Sequence, residues 1–371
     1  MNNNTQAFLA LVRAGLWEQD VLLSQYGTID YNVVYRIAEE QSVVGLVAAG
    51  IEHIKDVKVP QGLTLQFVGQ TLQLEQRNMA MNQFIADLVA KMRKADIYPL
   101  LIKGQGVAQC YERPLWRSCG DVDFFLNVFD YKKAKSFLGH FATEIEDEII
   151  ECKHIAYTIN SWEVEIHGSM RWGCLPKVDV VLSEMQQELF LKKQFRTWRN
   201  NDIDIFLPSA NDDILFIFSH ILKHFYKEGI GLRQICDWCR LVWIYKDKID
   251  IDILEKRLQS MGIEEEWKTF AVLAVKLLGM PSDSMPLFSY SKKGLSKSNR
   301  ILGIILESGN FGHNRDNSYY NSYPVIIRKG ISLWRHSIDC YKRFIVFPLN
   351  SVRVWCWVVI RGIKVGIVKL Y

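Results

Sequence analysis

The chain has 371 residues, of which 49% are apolar and 23% are charged, with nine prolines and a net charge of +4. This composition excludes a disordered protein, and the length predicts two or three packed units. The N-terminus lacks the features of a signal peptide, and eight scattered cysteines are too sparse for a secreted disulfide scaffold. We therefore expect a cytoplasmic protein.

Residues 1–96 show helical periodicity. Phe8, Leu11 and Leu16 recur at helical spacing, and Leu65 through Met92 is a long run of interleaved polar and apolar residues. We predict a helical N-terminal region.

The pattern of apolar and polar residues changes after residue 96. The apolar run Tyr98–Ile102 predicts a strand that enters a glycine turn at Lys103-Gly104-Gln105-Gly106, with a helix from Val107 to Tyr111. A second strand is predicted at Gly120–Leu126 and a second helix at Tyr131–Phe141.

Two further strand-like runs, Ile155–Ile159 and Trp162–Ile166, flank Asn160-Ser161, which suits a hairpin turn. Residues 97–207 are thus predicted to form a small α/β core. Helical patterns return in residues 208–371, with Ser209 as a cap and a helix at Leu232–Tyr245. The predicted fold class is α+β, a small mixed sheet flanked by helical N-terminal and C-terminal regions.

Asp121 and Asp123 alternate along the second strand, so both project from one face. On Trp162–His167 the same alternation puts Glu163, Glu165 and His167 on one face, and either glutamate could join the aspartates. Carboxylates at this density suit Mg²⁺ or Mn²⁺. Three of them on adjacent strands are what a two-metal phosphoryl or nucleotidyl transfer site needs.

The stretch Leu101-Ile102-Lys103-Gly104, Arg117, Gly120-Asp121-Val122-Asp123 and Val164-Glu165-Ile166-His167 resembles the polymerase-beta-like nucleotidyltransferase superfamily. More closely, it resembles a bacterial branch known only as an uncharacterised nucleotidyltransferase family. The similarity continues through Leu207-Pro208-Ser209, His220 to His224, and Leu232-Arg233 to Asp237.

The resemblance implies that Asp121, Asp123 and Glu165 are catalytic and bind the metal ions. It also implies that Lys103, Gly104, Gly106 and Arg117 face the phosphates of the nucleotide. The superfamily usually has a glycine-serine pair in the turn, whereas Gln105 follows Gly104 here. The spacing to Asp121 is also longer than usual.

Several further residues are candidates for substrate contact or for support of the site. His220 and His224 are four apart and share a helical face, which is also typical of simple packing. Arg233 and Asp237 have the same spacing, and an intrahelical ion pair is the default interpretation. His167 projects beside Glu165 and either contacts substrate or orients a carboxylate.

Two other features have structural interpretations as well as functional ones. Cys236 and Cys239 have CxxC spacing but no second ligand pair, which favours a place in the core. From Pro324 to Tyr371 there are nine Lys or Arg residues and one acid, Asp339. This basic tail, which ends with Lys364 and Lys369, either docks on the core or contacts a membrane surface or acidic partner.

The leading hypothesis is an enzyme that transfers a nucleoside monophosphate from an NTP such as ATP to a small-molecule or protein acceptor and releases pyrophosphate. No aromatic-basic stripe is present in residues 97–207, which disfavours a nucleic-acid acceptor. The first alternative is a catalytically silent nucleotide-binding or scaffold protein that docks through its basic tail. The second is transfer of the γ-phosphate.

Overall fold

The computed structural model describes residues 1–150, 152–312 and 323–368. Its helices are α1 Asn3–Trp17, α2 Tyr31–Glu40, α3 Val44–Glu52, α4 Gln61–Lys94, α5 Gly104–Ala108, α6 Val128–Gly139, α7 Pro176–Lys192, α8 Ala210–Lys227, α9 Leu232–Tyr245, α10 Ile251–Met261, α11 Glu264–Lys276, α12 Lys292–Ser308, α13 Val325–Phe344 and α14 Pro348–Val368. Its strands are β1 Leu100–Ile102, β2 Asp121–Phe125, β3 Glu144–Ile145, β4 His154–Ile159, β5 Trp162–His167, β6 Arg196–Asn200 and β7 Ile203–Leu207.

The seven strands form one mixed sheet in the order β3-β4-β5-β2-β1-β7-β6. Strand β2 runs parallel to β5 and antiparallel to β1, while β1 runs parallel to β7. Helices precede and follow the sheet in the chain, so the predicted α+β class is confirmed. Within the described residues, no helix combines the length and apolar character needed to cross a bilayer.

The β4–β5 hairpin confirms the prediction for Asn160-Ser161. Both residues have a positive φ, of 50° and 66°, as the two central positions of a type I′ turn require. Such a two-residue loop fixes the register of the strands and pairs His154 with His167 at the far end. The hairpin turn therefore decides which residue lies beside His167.

The segment after β1 differs from the prediction. A helix follows β1 as predicted, but it begins at Gly104 and ends at Ala108, so the expected bounds Val107 to Tyr111 are wrong. Its first turn contains the glycines that were expected to form an open turn. The prediction failed because glycine was interpreted as a helix breaker, although a buried glycine also allows close helix–sheet packing. The helices predicted at Ser209 and at Leu232–Tyr245 are confirmed, and Ser209 Oγ accepts a hydrogen bond from the Asp212 amide.

Two clusters of buried side chains hold these elements together. The smaller lies between the sheet, α6 and the C-terminal half of α4, and includes Met81, Phe124 and Ile166. The larger joins α1–α3 to the helices after the sheet, with Trp238 and Trp267 near its centre. Helices from both ends of the sequence thus share one core and enclose one side of the sheet.

The C-terminal helices are attached to this core from one side. Phe347, between α13 and α14, packs against Phe225 and Phe270, and Asn350 Nδ2 donates to Glu266 Oε1 at 2.6 Å. In the predicted basic tail, Lys369 and the side chain of Lys364 lie outside the described residues.

Glycines let α1 and α3 approach closely. A Cβ at Gly50 would lie 2.1 Å from the carbonyl oxygen of Leu11, and a Cβ at Gly15 would lie 1.9 Å from that of Leu46. A backbone atom cannot move away without displacing its whole helix. The α1–α3 crossing therefore requires glycine at both positions.

The substitution Gly50→Ala is expected to lower the free energy of unfolding by about 3 kcal/mol, because the added methyl group must force the two helices apart. Urea unfolding followed by circular dichroism would measure the change. Gly69→Ala in α4 is the matched control, since a Cβ there meets nothing within 4 Å. We expect the control to be stabilised by roughly 0.5–1 kcal/mol. Equal effects of the two substitutions would refute the packing argument.

Candidate functional site

Three carboxylates converge where β2 and β5 lie side by side. The parallel register pairs Asp121 with Glu163 and Asp123 with Glu165. Oxygens of Asp121, Asp123 and Glu165 all lie within 4.8 Å of one another, close enough to hold a metal ion. Glu163 is exposed and is not part of this group. Of the two candidate glutamates, the structure thus brings Glu165 to the aspartates.

Lys103 lies directly against this cluster. Its Nζ donates to Asp123 Oδ1 at 2.7 Å, and its backbone has a φ of 56°, which is uncommon for a residue other than glycine. Burial alone would lower the pKa of Lys103, but the charges of Asp123 and Glu165 outweigh it and raise the pKa above its ordinary value. Lys103 is therefore a permanent cation at the centre of the acidic cluster.

Two imidazoles support the carboxylates from β4 and β5. His167 Nε2 lies 2.8 Å from Asp123 Oδ1 and 3.2 Å from Glu165 Oε2, and His154 Nε2 lies 3.1 Å from the same Glu165 oxygen. Burial alone would raise the pKa of Glu165, but hydrogen bonds from His154 and His167 hold it well below its usual range. Glu165 thus stays ionised and is oriented by two ring nitrogens.

The pKa of Asp121 moves in the opposite direction. The charge of Asp123 raises it, and burial raises it further. Asp121 is the carboxylate that most needs a compensating cation, and a bound divalent ion would supply one. His154, Glu165 and His167 form a second group whose ligand atoms lie within 4.8 Å. The residues present therefore fit a divalent metal ion.

A cavity of about 250 Å³ lies between these strands and α8. Lys103, Asp121 and Glu165 line it on the sheet side, and His220, Lys223 and His224 line it on the helix side. His220 Nε2 and His224 Nε2 are 3.1 Å apart, so the two predicted histidines do share one face. Burial lowers the pKa of both rings, which keeps them uncharged near neutral pH.

Lys223 and Arg171 bring positive charge to the same cavity. Among the described residues, no hydrogen bond or ion pair engages Lys223 Nζ or the Arg171 guanidinium. Burial lowers the pKa of Lys223, and the charge of Lys227 adds to the effect. The indole Nε1 of Trp172, another lining residue, is buried and has no protein hydrogen-bond partner in the described part of the chain. These donors give the cavity a wall suited to an anionic ligand.

Arg117 occupies a different place from the one predicted. It is buried and pairs with Asp237, with distances of 3.0 Å from Nε to Oδ1 and 2.6 Å from Nη2 to Oδ2. Tyr111 donates to the same carboxylate at 2.7 Å. Neither Arg117 nor Asp237 lines the cavity, so the expectation that Arg117 faces phosphates is not supported by its position.

The expected ion pair between Arg233 and Asp237 within α9 is wrong. The carboxylate oxygens of Asp237 accept hydrogen bonds from Arg117 and Tyr111. Arg233 Nη1 instead donates to the carbonyl of Ser118 at 2.7 Å. Both interactions join α9 to the segment just before β2. The four-residue spacing shows only that Arg233 and Asp237 could pair within the helix. In the folded chain, both residues instead bind partners from a distant segment of the sequence.

The glycines of α5 serve packing. A Cβ at Gly106 would lie 2.9 Å from Leu207 Cδ2, and a Cβ at Gly104, which has a φ of 36°, would lie 3.2 Å from Cys119 Sγ. Neither glycine lines the cavity. Gln105, in the place of the usual serine, is buried and donates to Asn78 Oδ1 at 2.8 Å. Gln105 therefore ties α5 to α4.

Two other candidates are settled by burial. Cys236 and Cys239 lie in the core of α9, where burial raises the pKa of both thiols far above the usual value. Protonated thiols are poor metal ligands.

His154 is a member of the site that the sequence analysis missed, although the hairpin register alone pairs it with His167.

The comparison with protein families agrees with this geometry. No curated protein and no solved structure shows a significant match to the chain. A family described as "Uncharacterised nucleotidyltransferase" matches residues 27–279, which is more than half of the chain and includes the carboxylates, Lys103 and the cavity wall on α8. The chain therefore belongs to this uncharacterised nucleotidyltransferase family.

Proposed function

We propose that the chain transfers a nucleoside monophosphate from an NTP to a hydroxyl group of a small-molecule or protein acceptor. The convergence of Asp121, Asp123 and Glu165 within 4.8 Å, in a chain of this family, carries the proposal. The acceptor oxygen forms a bond to the α-phosphorus, and the bond from that phosphorus to the β-phosphate oxygen breaks. Pyrophosphate leaves with the electron pair, and the hydroxyl proton passes to solvent.

Asp121, Asp123 and Glu165 would hold Mg²⁺ or Mn²⁺, whose preference for carboxylate oxygens matches this set. When bound, such an ion would lower the pKa of the acceptor hydroxyl and offset charge on the triphosphate. His154 and His167 fix the direction of the Glu165 carboxylate through their hydrogen bonds. The charge of Lys103 opposes the rise in the pKa of Asp121 that Asp123 and burial cause.

Lys223 and Arg171 are proposed to contact the triphosphate from the opposite wall. Both line the cavity without a partner in the described chain, and a phosphate oxygen would satisfy both. In this proposal, Lys223 and Arg171 make the phosphate contacts that the family resemblance implied for Gly104 and Gly106 and for Arg117. The retained carboxylates, and donors still available for a ligand, favour an active enzyme over a silent scaffold.

Removing the proposed metal-binding carboxylates is expected to weaken metal-dependent nucleotide binding. Calorimetric titration of Asp121→Asn/Asp123→Asn with NTP and Mg²⁺ should show affinity weakened by about tenfold or more, since two charged ligands are lost. Glu163→Gln is the matched control, because Glu163 is exposed on the same face of β5 and lies outside the cluster. Undiminished binding by the double variant would disprove the site assignment.

Activity and acceptor can be sought together with labelled nucleotides and a cell extract. An α-phosphate label should be transferred to an acceptor in a reaction that a chelator stops, because the α-phosphorus moves and pyrophosphate leaves. Transfer of a γ-phosphate label instead would identify a phosphotransferase. Absence of any transfer by the folded protein with Mg²⁺ or Mn²⁺ would favour the silent alternative.

The proposed role of Lys223 has its own test. Lys223→Gln should raise the KM for the NTP by about tenfold, since a hydrogen bond between charged groups contributes roughly 1.5–3 kcal/mol. The kcat should change less, because Lys223 lies across the cavity from the carboxylates. Lys256→Gln removes an exposed charge of α10 outside the cavity wall and serves as the control. An unchanged KM would exclude Lys223 from the triphosphate site.

A further inference from the structure

Helix α13 presents an apolar stripe to solvent. Ile327, Trp334, Ile338 and Tyr341 are all exposed, with Trp334 and Tyr341 at 68% and 66% of their full accessible surface. Intervals of three and four residues place side chains on one face of a helix. The α13 stripe consists of Ile327, Ile331, Trp334, Ile338, Tyr341 and, directly after the helix, Ile345.

The opposite face of α13 is fixed to the protein. Arg343 is 2% exposed and donates to the carbonyl of Tyr226 in α8. Trp355 Nε1 of α14 donates to Ser337 Oγ at 3.1 Å, and Cys340 Sγ lies 3.5 Å from the carbonyl of Ser351. The helix is therefore held in place while its stripe points outward. The exposure is a property of the docked helix.

A basic row runs beside the stripe. Arg328, Arg335 and Lys342 each directly follow a stripe residue and recur at intervals of seven, so they share one side of the helix. Lys342 also pairs with Glu307 at the surface, an interaction of the kind that contributes little to stability. Asp339 is the single acid between Pro324 and Tyr371.

We infer that the α13 stripe lies on the surface of an anionic lipid bilayer. Apolar and aromatic side chains would enter the boundary between headgroups and acyl chains, and the basic row would face the anionic headgroups. Tryptophan and tyrosine, the two most exposed members of the stripe, are the side chains enriched at that depth. The bilayer is the partner whose chemistry matches both the stripe and the charge.

A second copy of the chain matches less well. A two-fold interface that pairs α13 antiparallel with its copy would place the two basic rows along the same edge of the interface. Their like charges would repel one another. A bilayer with negative headgroups attracts the row instead.

The test is co-sedimentation of the whole chain with vesicles of phosphatidylcholine alone or with roughly one third phosphatidylglycerol. We expect binding to the anionic vesicles to be about tenfold tighter and to weaken as salt rises, because the headgroup attraction is screened. Trp334→Glu/Ile338→Glu should weaken it at least about tenfold, since both changes remove apolar burial and add negative charge.

Leu72→Glu is the matched control, because Leu72 is an exposed apolar residue of α4 and lies outside the α13 stripe. It should leave binding unchanged. The lipid and salt dependence of the unaltered chain tests the inference even if the double variant does not fold. The inference would be overturned if binding were equally tight to neutral and anionic vesicles. It would also be overturned if a folded stripe variant bound the vesicles as tightly as the unaltered chain. A dimer that the stripe variant dissociates would also overturn it, because the stripe would then belong to a second copy.

Discussion

The mutual repulsion of three carboxylates is the constraint on which the site depends. Two like unit charges 4 Å apart repel by roughly 4 kcal/mol at the effective dielectric constant of a protein surface. Ligand oxygens of Asp121, Asp123 and Glu165 lie within 4.8 Å of one another. Lys103 and His167 both reach Asp123 Oδ1, which concentrates the compensation on the most buried of the three groups. The site is thus stable as a charged cluster and is already arranged for a cation.

That arrangement needs β2 to begin at a fixed place, and buried arginines provide it. Arg117 is anchored to Asp237 of α9, and Arg233 of α9 holds the carbonyl of Ser118. Arg240, also in α9, donates to the carbonyl of Cys110 at 2.8 Å. Breaking a buried pair of this kind costs about 3–5 kcal/mol, because the remaining charge has no partner. Helix α9 therefore positions β2, which carries Asp121 and Asp123, without contributing to the cavity wall.

The local part of the site could be predicted from the sequence. Alternation along β2 and β5 placed Asp121, Asp123 and Glu165 on one face, and family resemblance identified Lys103. The position of His154 could also be predicted from the hairpin, because a two-residue loop at Asn160-Ser161 pairs it with His167. These inferences succeed because strand periodicity and turn length are properties of short segments.

The remainder depends on long-range packing that periodicity does not encode. Arg117 has a family match, yet its partner is 120 residues away, and nothing in the local sequence shows that both are buried. The sequence around Lys223 shows only a helical pattern. Lys223 lines the cavity because α8 lies across from the sheet. The glycines of α5 have an equally local sequence signature, but their packing role depends on distant residues, Leu207 beside Gly106 and Cys119 beside Gly104.

A helix beyond the part of the chain that the family shares contacts residues that support the cavity wall. Lys227 of α8 donates to the carbonyl of Trp172, a lining residue, at 3.2 Å and lies 4.6 Å from the centre of the Trp357 ring. Trp357 belongs to α14, whereas the family match ends at residue 279. Because α14 follows α13 directly and packs against it, the helix that supports the cavity wall is continuous with the surface that carries the α13 stripe. The C-terminal helices therefore connect the site to the protein surface through packed aromatic and basic side chains.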